Sequence, residues 1–143
     1  MGKKSVAAKP MDPASISWFK KERFLRELSE DDFRDGVVRP LFLHMGLLDG
    51  RDTCGREEEG KDAVFIDHNK LGMTQLWVVQ TKRGNLNMSS KANENTVTAI
   101  TQLRMALNTK ITLLSTKEKV IPSFAVLCAS GKINSAARKH ICE

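Results

Sequence analysis

Two short runs rich in β-branched and aromatic residues, separated by a turn-forming stretch, constrain the fold of this chain most. Residues 62–67 read Asp-Ala-Val-Phe-Ile-Asp, and residues 76–82 read Leu-Trp-Val-Val-Gln-Thr-Lys. Between them, the His-Asn-Lys-Leu-Gly sequence of residues 68–72 favours a turn. The two runs therefore predict an antiparallel β-hairpin.

The second predicted strand carries two polar residues on one face. Side chains two residues apart on a strand project to the same side, so Gln80 and Lys82 share a face and Thr81 lies on the other. A turn near Gly72 pairs positions whose numbers sum to 144, which places Asp62 opposite Lys82. A carboxylate, an amide oxygen and an ammonium group are then expected at one end of the hairpin.

These groups suit the chemistry of phosphodiester hydrolysis. Mg²⁺ is a hard cation that accepts carboxylate and carbonyl oxygens, so the side chains of Asp62 and Gln80 and the backbone carbonyl of Thr81 are candidate ligands. A bound ion acidifies water and neutralises charge on the scissile phosphate. Lys82 is expected to orient that water or to stabilise the pentavalent phosphate. The alternative is a cross-strand ion pair between Asp62 and Lys82 on a solvated face.

Helical patterns occupy much of the rest of the chain. Ser29 is a helix cap followed by carboxylates, and the predicted helix carries Phe33, Val37, Leu41 and Met45 on one face. Pro40 is expected to kink or divide this helix. Three further helices are predicted, at residues 15–28, 96–108 (with Thr96 as the cap) and 133–140.

The order of the elements predicts the fold class. Residues 121–129 form an apolar run typical of a strand buried on both faces, and residues 47–61 and 83–95 are expected to be loops. The resulting order, α-loop-β-β-α-β-α, predicts an α/β sandwich with a central mixed β-sheet flanked by helices. Residues 1–14 are expected to form a flexible basic arm, and residues 15–143 a single domain.

Composition limits the class of partner and the compartment. The formal net charge of +6 favours a polyanionic partner. An apolar run of about 20 residues is absent from the sequence, as is the apolar segment of a secretory signal, so no membrane is expected and a cytoplasmic location is predicted. The three cysteines are widely spaced and suit reduced thiols. The histidines and cysteines lack the spacing of zinc ligands, and the sequence contains no phosphate-binding loop of the ATPase type.

Two segments together resemble the catalytic core of the Mrr-like restriction endonuclease family of the PD-(D/E)XK nuclease superfamily. They are residues 55–62, Gly-Arg-Glu-Glu-Glu-Gly-Lys-Asp, and residues 78–83, Val-Val-Gln-Thr-Lys-Arg. The family pattern is a glycine, an acidic residue, a glycine, any residue and an aspartate, followed by a hairpin that ends in Gln-x-Lys. The resemblance implies that Asp62 binds metal and Lys82 is catalytic, with Gln80 as the Gln-x-Lys glutamine.

The resemblance covers residues 29–141 and includes departures from the family. Many members have a glutamate directly after the phenylalanine of the first helix, whereas here Arg34 occupies that position and Asp35 is the nearest carboxylate. Asp35 is therefore the candidate third metal ligand. Glu58 matches an acidic position of the family; it either helps to bind a second metal or position water, or is an exposed loop carboxylate. Family domains usually continue beyond the last helix, so the chain is expected to be a fragment of a longer protein.

The resemblance implies a metal-dependent DNA endonuclease of low sequence specificity. Mg²⁺ is the expected cofactor, with Mn²⁺ able to substitute, and double-stranded DNA the expected partner. Arg83 and Lys91 are predicted to contact phosphates, and Gln102 lies on the helix where relatives often place a glutamine, so it is a third candidate contact. A homo-oligomer or a larger parent protein, such as a STAND-type antiphage protein with this domain as its effector, is the expected setting. The alternatives are RNA as substrate, or a catalytically inactive nuclease-like fold that serves as a DNA-binding or scaffold module.

Overall fold

The structure, a computed structural model, describes residues 14, 17–50, 63–88 and 93–142. Its helices are α1 (Trp18–Glu27), α2 (Glu30–Phe33), α3 (Arg39–His44), α4 (Asn93–Asn108) and α5 (Ser135–Cys142). Its strands are β1 (Leu48–Asp49), β2 (Ala63–His68), β3 (Thr74–Lys82), β4 (Ile111–Thr112), β5 (Lys119–Val120) and β6 (Phe124–Ala129). The predicted flexible arm lies outside the described residues except for residue 14. Among the described helices, none is long and apolar enough to cross a bilayer.

The main sheet has four strands in the order β1-β2-β3-β6. Strand β2 is antiparallel to both β1 and β3, and β6 runs parallel to β3. The crossover between β3 and β6 contains α4, and β4 and β5 form a separate two-stranded sheet. The predicted α/β fold with a central mixed sheet is confirmed, as is the predicted hairpin.

The register of the hairpin differs from the prediction. Ala63 pairs with Val79, and every pair in this ladder sums to 142 rather than 144. The turn is centred on Leu71, because the Asn69 side-chain carbonyl accepts a hydrogen bond from the backbone N–H of Leu71 at 2.9 Å and Gly72 adopts a φ of +77°. The predicted register is therefore wrong by two residues. A shift of two leaves each side chain on its predicted face, since the side-chain period of a strand is two.

The helical segment after Ser29 buries a different stripe from the predicted one. Phe33 is buried as predicted, but Leu41 and Met45 are exposed. Val38 and Phe42 are buried in their place. The predicted face is therefore wrong beyond the first turn.

A π-helical turn over Arg34–Val38 causes this change. The backbone N–H of Arg39 donates to the carbonyl of Arg34, five residues earlier. Pro40 follows directly and has no N–H to continue the regular pattern. The turn contains one extra residue, which moves the buried positions from 37 and 41 to 38 and 42. The helix is thus divided near Pro40, one of the two outcomes predicted for it.

The sheet lies between two apolar clusters. One cluster joins β2 and β3 to the helices before them; its buried members are Phe33, Val38, Phe42, Leu47, Ala63, Phe65 and Val79. The rings of Phe42 and Phe65 stack within it at 4.9 Å between centroids. The second cluster joins the opposite face to α4 and the small sheet; its buried members are Ile66, Leu76, Val78, Ala106, Ile111 and Leu113. Strand β3 is therefore held on both faces.

Five elements differ in detail from the sequence-based expectation. Strand β6 is half-buried along most of its length rather than buried on both faces, because it is the end strand of the described sheet. Helix α4 begins at Asn93, so Thr96 lies inside it, and the Thr96 hydroxyl donates to the carbonyl of Asn87 at 2.9 Å. Strands β1, β4 and β5, each two residues long, were not predicted.

Candidate active site

The predicted site residues fall into two groups. Gln80, Thr81 and Lys82 form the carboxyl end of β3, and Asp35, Arg83 and Gln102 are also described. Asp62, Glu58 and Lys91 lie outside the described residues. The expected pairing of Asp62 with Lys82 depended on the register that the structure corrects, because Lys82 is three residues beyond Val79, the partner of Ala63.

Gln80 is a polar side chain in an apolar environment. It is 3% exposed, and its Oε1 atom is buried and accepts no hydrogen bond from any described residue. Val78, two residues earlier, packs in the cluster with Ala106 of α4, so Gln80 projects toward the α4 side of the sheet. A buried carbonyl oxygen without a partner costs about 1–3 kcal/mol. Such an oxygen calls for a ligand, and a hard cation is one that an amide oxygen binds well.

Thr81 occupies the opposite face and is completely buried. Its backbone belongs to the parallel ladder, where it pairs with Cys128 of β6. This pairing fixes the position of the strand next to Gln80. The role of the Thr81 backbone carbonyl as a metal ligand stays a prediction.

Lys82 ends β3 with its side chain 20% exposed. Its Nζ lies 4.0 Å from Oε1 of Glu30, the first residue of α2. The other carboxylate oxygen of Glu30 accepts a hydrogen bond from the backbone N–H of Arg83 at 3.2 Å. The lysine thus reaches across the end of the strand to a carboxylate that is itself held by the next residue of the chain.

Glu30 is a site residue that sequence reasoning missed. The sequence presents it, with Asp31 and Asp32, as a first-turn carboxylate favoured by the helix dipole. The Ser29 hydroxyl accepts from the backbone N–H of Asp32 at 3.1 Å, which confirms the cap and fixes the start of the helix. The only sequence signal was the acidic run after the cap, and that run does not show which carboxylate turns toward the sheet.

Asp35 lies among arginines. Its carboxylate is bound by Arg34 at 3.0 Å and by Arg39 at 3.4 Å. The hydrogen bond from Arg34 is the largest effect and lowers the pKa of Asp35; desolvation opposes it, and the charge of Arg34 and the hydrogen bond and charge of Arg39 lower the pKa further. Arg39 is buried and also binds Asp49 at 3.1 Å. Asp35 stays a predicted metal ligand, whereas Glu30 is the carboxylate that the described structure places beside Lys82.

The chain leaves the active-site strand through a fixed loop. The carbonyl of Lys82 accepts from the backbone N–H of Ser130 at 3.0 Å, and the buried Ser130 hydroxyl accepts from the N–H of Gly84 at 2.9 Å. Gly84 adopts a φ of +81°, and its carbonyl accepts from the N–H of Gly131 at 3.0 Å. The position of Lys82 is therefore set by the ends of two adjacent strands.

The remaining candidates lie near this strand. Arg83 follows Lys82 and lines a groove together with α1. Gln102 is half-buried on α4, and its Oε1 is buried with no hydrogen bond to a described residue. Burial raises the pKa of the Cys128 thiol to about 11, which disfavours a thiolate nucleophile. In the part of the chain that the structure describes, no group of three or more His, Cys, Asp or Glu side chains could hold a metal ion.

Comparison with known proteins identifies the family. Neither the curated proteins nor the solved structures gave a significant match. The family model Mrr_cat, described as a restriction endonuclease, matches residues 25–141. Enzymes of this family act on DNA and generally use a divalent metal ion. The match spans most of the chain and includes both the Gln80–Lys82 strand end and the helices that pack on it, so the chain belongs to the Mrr_cat restriction endonuclease family.

Proposed function

We propose that this domain is an endonuclease that hydrolyses DNA phosphodiester bonds with the help of Mg²⁺, for which Mn²⁺ substitutes. The observation that carries the proposal is the buried Oε1 of Gln80, which accepts no hydrogen bond from the described residues and lies on the same strand face as Lys82. An amide oxygen and an ammonium group in this arrangement have a shared use at a metal and a phosphate. Membership of a restriction endonuclease family supports the same reaction.

The ligand set that we propose combines described and predicted groups. Gln80 supplies its side-chain oxygen, Thr81 its backbone carbonyl, and Asp62, which directly precedes β2 in the sequence, supplies a carboxylate. Glu30 is the third carboxylate that we favour, because it already lies beside the strand end. Asp35 and Glu58 are the other acidic candidates. When bound, the ion supplies positive charge for the phosphate and lowers the pKa of water.

Lys82 has the electrostatic role in this proposal. Its ammonium group is positioned by Glu30 and by the paired backbone of β3, so little reorganisation is needed when a phosphate approaches. It then donates hydrogen bonds to phosphate oxygens as negative charge grows on them in the transition state. Loss of one such preorganised donor typically lowers the rate about 10²–10³-fold. We also propose that Arg83, Lys91 and Gln102 contact the DNA around the scissile phosphate.

A cleavage assay with matched lysine variants tests this function. Supercoiled and linear DNA are incubated with the purified protein and Mg²⁺, Mn²⁺ or EDTA. We expect metal-dependent nicking that Lys82→Ala lowers at least about 10²-fold and that Lys70→Ala, a change at an exposed lysine in the hairpin turn, leaves unchanged. DNA that is bound but not cut with either metal would contradict the proposal and favour the catalytically inactive binding module. Equal cutting by wild type and Lys82→Ala would also contradict it.

We further propose that the domain acts in the bacterial cytoplasm as an antiphage effector, assembled as an oligomer or through a larger parent protein. The resemblance to effector nucleases supports this setting. Phage plating on cells that express the intact parent protein tests it. Protection should be lost with Lys82→Ala and kept with Lys70→Ala.

A further inference from the structure

A groove of about 310 Å³ lies directly beside the proposed active site. One wall is α1, which contributes Phe19, Glu22, Arg23, Arg26 and Glu27, and the other is Arg83. Arg83 follows the proposed catalytic Lys82 in the chain, and its backbone N–H is bound by Glu30, the same carboxylate that faces the lysine. The groove is therefore joined to the proposed catalytic lysine both by the chain and by a shared carboxylate.

The charges around the groove favour an anionic ligand. Three arginines line it, and Lys132 lies 3.6 Å from Glu22 at its rim, so four cations face two carboxylates. The ion pairs within α1, Arg23 with Glu27 and Arg26 with Glu22, are exposed pairs on one turn of helix. Such pairs contribute only about 0.3–0.5 kcal/mol, so an arriving phosphate displaces them at little cost. The groove thus has guanidinium groups available for the backbone of a nucleic acid.

The groove also contains an exposed aromatic ring. Phe19 is 76% exposed, although Leu25 of the same helix packs on the core. A ring beside arginines is the combination that binds unpaired nucleotides, because a base stacks on the ring while the phosphate contacts the cations. In an intact duplex the faces of the bases are covered by neighbouring pairs and cannot reach such a ring.

We propose that this groove binds one unpaired nucleotide next to the phosphate that the enzyme cuts, with its base on Phe19 and its phosphate on Arg26 and Arg83. The inference rests on the proposed nuclease function and specifies the substrate class: DNA with a single-stranded segment beside the cut. The domain should bind a duplex with a short overhang more tightly than a blunt duplex. The groove gives this preference without reading the base sequence, since every base has a π face.

Fluorescence anisotropy in EDTA tests the groove without cleavage. The probes are a blunt DNA duplex and the same duplex with a three-nucleotide single-stranded overhang. Phe19→Ala should weaken overhang binding about 5- to 150-fold, the range for loss of one base–aromatic stack, and leave blunt-duplex binding unchanged. Phe24→Ala is the matched control, because Phe24 is an exposed ring of the same helix, 59% exposed, that does not line the groove. It should bind both probes like wild type.

Three results would overturn the inference: equal wild-type affinity for the two probes, no effect of Phe19→Ala on overhang binding, or the same loss with Phe24→Ala. Its failure is distinguishable from failure of the nuclease proposal. Metal-dependent cleavage combined with a silent Phe19→Ala variant refutes the groove alone. Overhang binding that depends on Phe19, in a protein that never cuts with Mg²⁺ or Mn²⁺, refutes the nuclease and leaves the groove intact.

Discussion

Replacing Gln80 by methionine should make the metal-free protein more stable and the metal-loaded protein less stable than wild type. Methionine keeps the unbranched stem in the same buried space and removes the buried oxygen that has no hydrogen bond to a described residue. Relief of an unsatisfied buried carbonyl is worth about 1–3 kcal/mol. Methionine is somewhat larger than glutamine, and fitting the extra volume into the packed site costs roughly 1 kcal/mol. The net gain in the free energy of unfolding is therefore about 1 kcal/mol in EDTA.

Metal should reverse this order. An ion that binds only the folded state stabilises wild type by about 2.7 kcal/mol when its concentration is 100 times the dissociation constant. Gln80→Met lacks the amide oxygen and should gain little. Urea denaturation followed by circular dichroism, in EDTA and in saturating Mg²⁺, measures both free energies of unfolding for the two proteins.

Gln102→Met is the matched control for this experiment. The Oε1 of Gln102 is also buried without a hydrogen bond to a described residue, so the variant should gain stability in EDTA. Its stabilisation by Mg²⁺ should equal that of wild type, because Gln102 is not in the proposed ligand set. A Gln80→Met protein less stable than wild type in EDTA would show that the oxygen has a partner in solution. Equal stabilisation of wild type and Gln80→Met by Mg²⁺ would exclude Gln80 as a ligand.

Other predictions concern the surroundings of the site. Gly131→Ala should lower the free energy of unfolding, measured by urea titration, by about 2 kcal/mol, because the added Cβ would lie 2.7 Å from the Gly84 carbonyl oxygen. Gly36→Ala is the control, since a Cβ there meets nothing within 4 Å. It should be neutral or stabilising by up to about 1 kcal/mol. Burial raises the pKa of the Cys128 thiol from 9.0 to about 11, so a variant that keeps only Cys128, with the other two cysteines changed to serine, should react slowly with a disulfide reagent at pH 8. Its rate should be at least roughly 100-fold lower than that of the variant that keeps only the exposed Cys142. Similar rates would contradict the burial of Cys128. The pKa of Asp35 is lowered mainly by its hydrogen bond from Arg34. The ionised Asp35 therefore stabilises the fold above pH 3.8, and this stabilisation is lost as the pH falls through the lower folded-state pKa. Asp35→Asn should accordingly lose less free energy of unfolding than wild type on acidification below about pH 5.

The hairpin could be predicted from the sequence, but its register could not. Alternating β-branched residues on either side of a polar stretch leave few other structures open. The centre of the turn, however, depends on where a side chain bonds back to the chain. Here the side-chain carbonyl of Asn69 accepts hydrogen bonds from two backbone N–H groups, those of Leu71 and Met73, both at 2.9 Å. That choice moves the centre of the turn to Leu71, away from the glycine that marked it in the sequence.

The helices show a second kind of limit. Pro40 indicated that the segment after Ser29 is interrupted, but the periodicity of the sequence carries no sign of a π turn. One extra residue before the proline changes which side chains of the helix face the sheet. The π turn is selected by the packing of Val38 and Phe42 on the sheet, which the sequence pattern does not show. Glu30 escaped prediction for a related reason, because its role depends on how α2 meets the end of β3 and not on its own neighbours in sequence.

The prediction of a shared face for Gln80 and Lys82 survived the register error because it depends on parity alone. Two residues of one strand separated by one position share a face whatever their partners are. A shift of two in the hairpin also keeps every described residue of the ladder on its predicted face. Asp62 lies outside the described residues, so the described part of the candidate site consists of the buried amide oxygen of Gln80 and of Lys82, whose Nζ lies 4.0 Å from Glu30. One strand face thus carries a candidate metal ligand and an ammonium group, which is the combination that the proposed hydrolysis uses.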